Sequence, residues 1–174
     1  MLSLSSLAGW EDAVLASLQG ASGTLEERDH QIERSGMFGE YPAILHAYIE
    51  LFGDEESALE AVKRAVFLEW RGAMAPSALT GIASLPEGTA RAVIGELDAR
   101  ARRGGADDEL AWMLAWYAGE GRFLFELYGA TTALLDLADS MPADAWRTRQ
   151  ITSARMKQRG QLGRYWMALA TGSL

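Results

Sequence analysis

The sequence predicts an all-α protein, folded as a single-domain orthogonal or irregular bundle of roughly six to eight helices. Along most of its 174 residues, apolar side chains recur at spacings of three and four, which is the period of an amphipathic helix. No stretch shows the alternating β-branched pattern typical of a strand. Glycine, proline and capping residues divide the chain into pieces of helical length.

The first half of the chain divides into four predicted helices, at 7–19, 25–34, 42–52 and 54–71. Thr24 and Glu27 have the spacing of a capping box at the start of the second helix. Gly53 ends the third helix, and Asp54 is the expected cap of the fourth. Because that connection is so short, we expect the third and fourth helices to form an antiparallel hairpin.

The second half begins with a single helical turn and then carries longer helices. The predicted segments are 76–79, 86–103, a helix from Leu110 to a break at Gly119 and Gly121, 122–139, 143–150 and 153–170. Gly104 and Gly105 stop the helix at 86–103, and Asp107 or Asp108 caps the one at Leu110.

The stretch from Leu110 to Tyr128 is the most aromatic part of the chain. A helix beginning at Leu110 is apolar on all sides, so it is either buried in the core or covered by a partner. The alternative to a core helix is a groove for a ligand or partner helix, with the candidate binding residues Trp112, Trp116, Tyr117, Arg122, Phe123 and Tyr128. We expect residues 110–117 to be buried and residues 122–128 to border any binding surface.

The net charge of −8 is unevenly distributed. Residues 141–174 contain six basic side chains and one acidic one, so the acidic excess lies in the preceding residues. We expect the basic helix at about 153–170 to pack on this acidic body. The alternatives are a basic surface for an acidic partner and, less favoured, a nucleic-acid surface, because an acidic body repels phosphates.

Both histidines belong to pairs that could bind a metal ion. Glu27 and His30 are three residues apart, and His46 and Glu50 are four apart, so each pair shares a helix face. Di-iron bundles use such spacings, but here only half of that pattern is present. The simpler interpretation is a solvated His30 and a partly buried, hydrogen-bonded His46.

A weak helix-turn-helix outline runs from Leu79 to Leu97. Its connecting loop is short for that motif, and its second helix carries Glu87 and Glu96 with only Arg91 basic near the start. DNA binding is therefore the third alternative.

These patterns favour a non-catalytic interaction or accessory protein that uses a Trp/Met-rich helical surface or groove. The expected partner is a protein, in a homodimer or a heteromeric complex, and nucleic acid is disfavoured. The second alternative is a helical metal- or small-ligand-binding protein, with an enzyme included; the sequence names no cofactor. The absence of a long apolar segment and of a basic N-terminal region leads us to expect a cytoplasmic protein without a membrane span.

Overall fold

The computed structural model describes residues 2–173, and within that range it is an all-α bundle without a strand, as predicted. Eight of its ten α-helices have seven residues or more. The helices are α1 Leu4–Leu18, α2 Leu25–Arg34, α3 Glu40–Glu50, α4 Ala58–Met74, α5 Ser77–Thr80, α6 Glu87–Arg103, α7 Asp108–Leu127, α8 Thr132–Ala138, α9 Ser153–Met156 and α10 Gly160–Thr171. Short 3-10 helices lie at Met37–Gly39, Leu51–Gly53 and Ala145–Thr148.

Helix α4 lies at the centre of the bundle. Every residue from Ala61 to Leu68 is buried, and α3, α6, α7 and α10 all pack against this helix. Helix α1 packs between α3 and α10 and closes the bundle on another side. The expected pairing of the third and fourth helices is present as the α3–α4 contact across the Leu51–Gly53 turn.

The predicted helix caps are formed by local hydrogen bonds. The Thr24 hydroxyl accepts from the Glu27 amide, and the Glu27 carboxylate accepts from the Thr24 amide at 2.8 Å, so the capping box is complete. Asp107 accepts from the Leu110 amide at 2.8 Å and starts α7. Asp54 instead closes a turn by accepting from the Ser57 amide, and α4 begins after it.

The predicted break at the glycines of α7 is present as a kink at Gly121, where φ of −147° and ψ of 44° are not helical, so two helical segments meet there. The Gly121 backbone lies so close to Met74 and Trp70 that an added Cβ would be 3.1 Å from the Met74 sulfur. The predicted continuous helix at 122–139 is wrong, because α7 ends at Leu127 and a separate helix, α8, starts at Thr132. Gly129, with φ of +90°, makes this turn.

The predicted continuous helix at 153–170 is also wrong. The chain leaves the helical conformation after Met156, passes through Gln158 with φ of +61° and restarts at Gly160 with φ of +56°. Gly163 then lies against the Met156 carbonyl, where a Cβ would collide with it. The predicted helix at 143–150 is reduced to the 3-10 helix at Ala145–Thr148.

The C-terminal segment is held to the rest of the bundle by ion pairs. Four of its basic side chains, Arg149, Arg155, Arg159 and Arg164, contact acidic groups earlier in the chain. The buried Arg159 pairs with both Glu60 and Glu109. The acidic body therefore neutralises much of the basic segment internally.

Within residues 2–173, no helix combines the length and the apolar character needed to cross a bilayer.

Candidate functional site at the exposed end of α7

Half of the 16 aromatic residues of the chain form one cluster in the core. Neighbouring ring centroids are 4.6–6.4 Å apart in tilted, stacked and edge-to-face arrangements, which are the favourable geometries for aromatic pairs. The members of this aromatic cluster are Phe67, Trp70, Trp112, Trp116, Tyr117, Trp146, Tyr165 and Trp166. The tryptophan content is thus largely used in the core.

The first half of α7 belongs to this cluster. Trp112 is 3 % exposed and Tyr117 is fully buried, where its hydroxyl accepts from the Trp166 indole at 3.3 Å. Trp116 is half-buried, and its indole nitrogen donates to the Tyr165 hydroxyl at 2.8 Å. Of the residues predicted to bind a partner, Trp112 and Tyr117 therefore lie in the core and not on a surface.

The second half of α7 carries two large apolar side chains on the outside of the bundle. Phe123 is 53 % exposed and Leu127 is 62 % exposed. They are four residues apart in a regular helical segment beyond the Gly121 bend, so they are neighbours on one face. We call this pair the α7 ridge. Leu127 was not among the predicted site residues.

The remaining two predicted residues lie beside the α7 ridge. Tyr128 is half-buried, and the guanidinium of Arg91 lies 6.0 Å from its ring centroid. Arg122 donates to Glu126 at 3.1 Å and to Asp139 of α8 at 2.7 Å. Arg122 is thus held in place by two carboxylates.

The surroundings of the α7 ridge are acidic. Exposed carboxylates lie on the same helix, on α8, which packs against it, and directly after α8; they are Glu120, Glu126, Asp136 and Asp139. Arg122 pairs with two of these groups, and Arg91, which pairs with Glu87, lies near Tyr128. The result is an exposed apolar pair in a negatively charged setting.

The residues of the predicted metal site are not gathered in one place. Glu27 uses its carboxylate in the capping box of α2. His30, His46 and Glu50 are exposed on α2 and α3. Among residues 2–173, no group of three or more His, Asp or Glu side chains is arranged to hold a metal ion.

The observed geometry does not support a DNA-binding role for the helix-turn-helix outline. Its first element, α5, is a single turn of four residues. On α6, the exposed Arg91 pairs with Glu87 at 2.6 Å, and Arg103 pairs with Glu96 at 2.7 Å. The arginines on this helix are therefore already occupied by carboxylates of the same helix.

A carboxyl group with a strongly raised pKa is buried between α1, α3 and α10. Glu11 is 1 % exposed, and burial raises its pKa to about 7, although hydrogen bonds from Tyr48 and Gln161 and the charge of Arg64 oppose the shift. The Tyr48 hydroxyl donates to it at 2.6 Å, and the Gln161 amide at 2.9 Å. The group ties three helices together.

Comparison with protein-family models, curated proteins and solved structures finds no match for this chain. A function therefore has to be inferred from its own residues.

Proposed function

We propose that this protein is a non-catalytic interaction module whose α7 ridge binds a basic amphipathic helix of another protein. The observation that supports this most directly is the exposure of Phe123 and Leu127 on a helix whose first half is buried. Large apolar side chains grouped outside the core are typical of contact surfaces.

The contact surface is narrower than the Trp/Met-rich surface predicted from the sequence. Trp112 and Tyr117 are too buried to reach a partner. Two neighbouring side chains spaced by one helical turn suit a partner helix, which offers apolar residues at the same spacing. Burying a Phe or Leu side chain is worth about 1.5–3 kcal/mol, so the pair can anchor a short helix.

The acidic surroundings of the ridge favour a basic partner. Glu120 and Asp136 are exposed on α7 and α8, and neither makes an ion pair within residues 2–173. Lysine or arginine residues flanking the apolar face of a partner helix would meet these carboxylates. Such charges speed association and select among partners.

A second copy of this chain fits the ridge less well than a basic partner. A two-fold symmetric contact places the same patch of each copy against itself. Glu120 and Asp136, which make no ion pair within residues 2–173, would then meet the same acidic surface of the other copy, and like charges at an interface are unfavourable. We therefore infer a heteromeric partner.

The proposal is tested with designed helical peptides. A peptide with leucine on one face and lysine on the other is titrated into the protein and followed by calorimetry, beside a counterpart with glutamate in place of lysine. We expect the lysine peptide to bind, and the double variant Phe123→Ser/Leu127→Ser to bind it about tenfold more weakly, a loss of about 1.4 kcal/mol.

Leu25 of α2 provides a matched control, since it is 50 % exposed but lies outside the ridge. Leu25→Ser should bind the lysine peptide as tightly as the unaltered chain. Equal weakening by Leu25→Ser, equal binding of the glutamate peptide, or no binding of either peptide would contradict the proposal. Self-association that Phe123→Ser/Leu127→Ser abolishes would identify a second copy as the partner instead.

A further inference from the structure

A cavity of about 260 Å³ lies at one side of the bundle, formed by elements other than the α7 ridge. It is bounded by α1, α2, α4, α5 and α10. Its apolar wall consists of Leu15, Leu18, Leu79, Tyr165 and Ala168. Its volume lies just below the usual range for small-molecule sites, which is about 300–1,000 Å³, so only a small ligand fits.

Three arginines line the same cavity, and no Asp or Glu of the described chain is among the lining residues. Arg164 pairs with Asp12, its Nη2 lying 2.8 Å from the carboxylate. Arg28 and Arg71 make no ion pair within residues 2–173. The cavity therefore contains positive charge that the fold leaves without a counter-ion.

The two unpaired arginines are also partly removed from water. The Nε of Arg28 is buried and has no hydrogen-bond partner in the described chain. The guanidinium of Arg71 lies 5.2 Å from the centroid of the Tyr165 ring. Burial lowers the pKa of Arg71, and the Tyr165 hydroxyl only partly opposes this. Leaving a half-buried cation and a buried donor unsatisfied is unfavourable, and an anion in the cavity would relieve both.

The position of Arg71 suits a carboxylate. The Arg71 guanidinium lies over the Tyr165 ring and makes no ion pair within residues 2–173, and the N–H donors of a guanidinium match the two oxygens of a carboxylate. The side-chain amide of Gln161 is already used, since it donates to Tyr41 at 2.6 Å and to the Thr80 carbonyl at 3.0 Å. The positive charge that an anion needs therefore comes from the arginines, and Gln19 is the remaining uncharged amide side chain in the lining.

We infer that this cavity binds a small organic acid whose carboxylate meets Arg28 and Arg71 and whose apolar body packs on Leu15, Leu18 and Leu79. The apolar wall distinguishes this ligand class from inorganic anions, because phosphate or sulfate would leave that wall exposed to water. The cavity volume restricts the acid to a compact molecule, such as an aryl-alkanoate. This binding site is independent of the α7 ridge and of any partner bound there.

The test is a calorimetric titration with 3-phenylpropionate, with its neutral analogue 3-phenylpropionamide and with inorganic phosphate. We expect 3-phenylpropionate to bind with a Kd below about 1 mM, and the amide and phosphate to bind at least about tenfold more weakly. Arg71→Gln should lose about tenfold in affinity for the acid and little for the amide.

Two further variants separate loss of the site from loss of the fold. Leu79 is 47 % exposed, so Leu79→Glu should leave the helical circular dichroism spectrum unchanged while its carboxylate repels the acid. Arg103, an exposed arginine paired with Glu96 outside the cavity, gives the control Arg103→Gln, which should bind normally. Leu79→Glu introduces a charge and Arg103→Gln removes one, each at an exposed side chain.

The inference is overturned if 3-phenylpropionate shows no saturable binding, or if Arg103→Gln weakens binding as much as Arg71→Gln. It is also overturned if the amide binds as well as the acid, because the arginines then play no part. Equal affinity for phosphate would show a general anion site without a role for the apolar wall, and would likewise exclude the proposed ligand class.

Discussion

Arg159 and Glu60 form a two-pronged ion pair between residues 99 positions apart in the chain. The Arg159 Nε donates to one carboxylate oxygen at 2.7 Å, and its Nη2 donates to the other at 2.6 Å. Arg159 also donates to both oxygens of Glu109, which in turn accepts from Lys63 at 2.7 Å. This network fastens the segment before α10 onto α4 and the start of α7.

Removing the Arg159 charge should destabilise the protein strongly. Arg159→Met leaves Glu60 and Glu109 partly buried without their main counter-charge, and we expect a loss of about 3 kcal/mol in the free energy of unfolding. Arg155 is the matched control, since it is exposed and its contact with Glu109 is long, at 3.7 Å. Arg155→Met should cost at most about 0.5 kcal/mol. Equal losses in urea unfolding would contradict the assigned role of Arg159.

Glycine substitutions should have opposite effects at two positions. Gly160 has φ of +56°, and a Cβ there would lie 2.5 Å from the Glu11 carboxylate, so Gly160→Ala should cost at least about 2 kcal/mol. Gly95 lies exposed inside α6 with no atom within 4 Å of its Cβ position. Gly95→Ala should stabilise the protein by about 0.5–1 kcal/mol. Thermal unfolding of both variants checks this pair of predictions. An increase in stability for Gly160→Ala would contradict the close approach of Gly160 to Glu11.

Glu11 should make stability depend on pH. Its pKa is raised from 4.5 to about 7, so the folded protein binds this proton more tightly than the unfolded chain does. The stabilisation that comes from the tighter binding of this proton is complete below pH 4.5 and is lost as the pH rises through 7. The loss in the free energy of unfolding amounts to about 3 kcal/mol. The free energy of unfolding should therefore decrease between pH 5 and pH 8, and Glu11→Gln should remove much of that decrease.

Glu69 contributes to the same pH window with the same sign. Burial raises its pKa to about 7, although a hydrogen bond from Thr89 opposes the shift. Measuring urea unfolding of Glu69→Gln beside Glu11→Gln therefore separates the two groups. A Glu11→Gln variant with the full pH dependence of the unaltered protein would show that Glu11 is ionised in the fold.

Thr131 should fix the turn between α7 and α8 through Asp98. The Thr131 amide and hydroxyl both donate to Asp98. Burial alone would raise the pKa of Asp98, but these hydrogen bonds and the charge of Arg102 outweigh it and lower the pKa below 3.8. The stability that Asp98 supplies is thus present above pH 3.8 and is lost as the pH falls through its lowered pKa.

Thr131→Val removes the hydroxyl donor and should cost about 1 kcal/mol at neutral pH. At acid pH this loss of stability should shrink, because protonation of Asp98 removes the charge that strengthens the hydrogen bond. Thr132→Val, next in the chain and exposed, should change stability by less than about 0.5 kcal/mol. A cost for Thr131→Val that is the same at both pH values would exclude the charged hydrogen bond.

Local signals in the sequence predicted the starts of α2 and α7 but not the interruptions before α8 and α10. The cap at Thr24 depends on residues within one helical turn, so the sequence pattern was sufficient. The turn before α8 is fixed by Asp98, 33 residues before Thr131, and the break before α10 by the pairing of Arg159 with Glu60. No local pattern contains such contacts.

The two candidate sites also differ in how far the sequence predicts them. Sequence reasoning placed residues 110–117 inside and residues 122–128 at a surface, because a helix without a polar face needs cover on all sides; the buried Trp112 and the exposed Phe123 follow that division. Leu127 was overlooked, because an isolated leucine in a helix is usually a core residue. The cavity was missed entirely, since Arg28, Arg71 and Arg164 come from three helices far apart in the chain.

The most direct test of the α7 ridge is methyl NMR of leucine-labelled protein during titration with the leucine–lysine peptide. Leu127 on the ridge and Leu25 on α2 are both exposed, so each gives a solvent-facing methyl reporter. Binding at the ridge predicts that the Leu127 methyl resonances shift with peptide concentration while those of Leu25 stay in place. Shifts at Leu25 with none at Leu127 would contradict the proposed interaction surface.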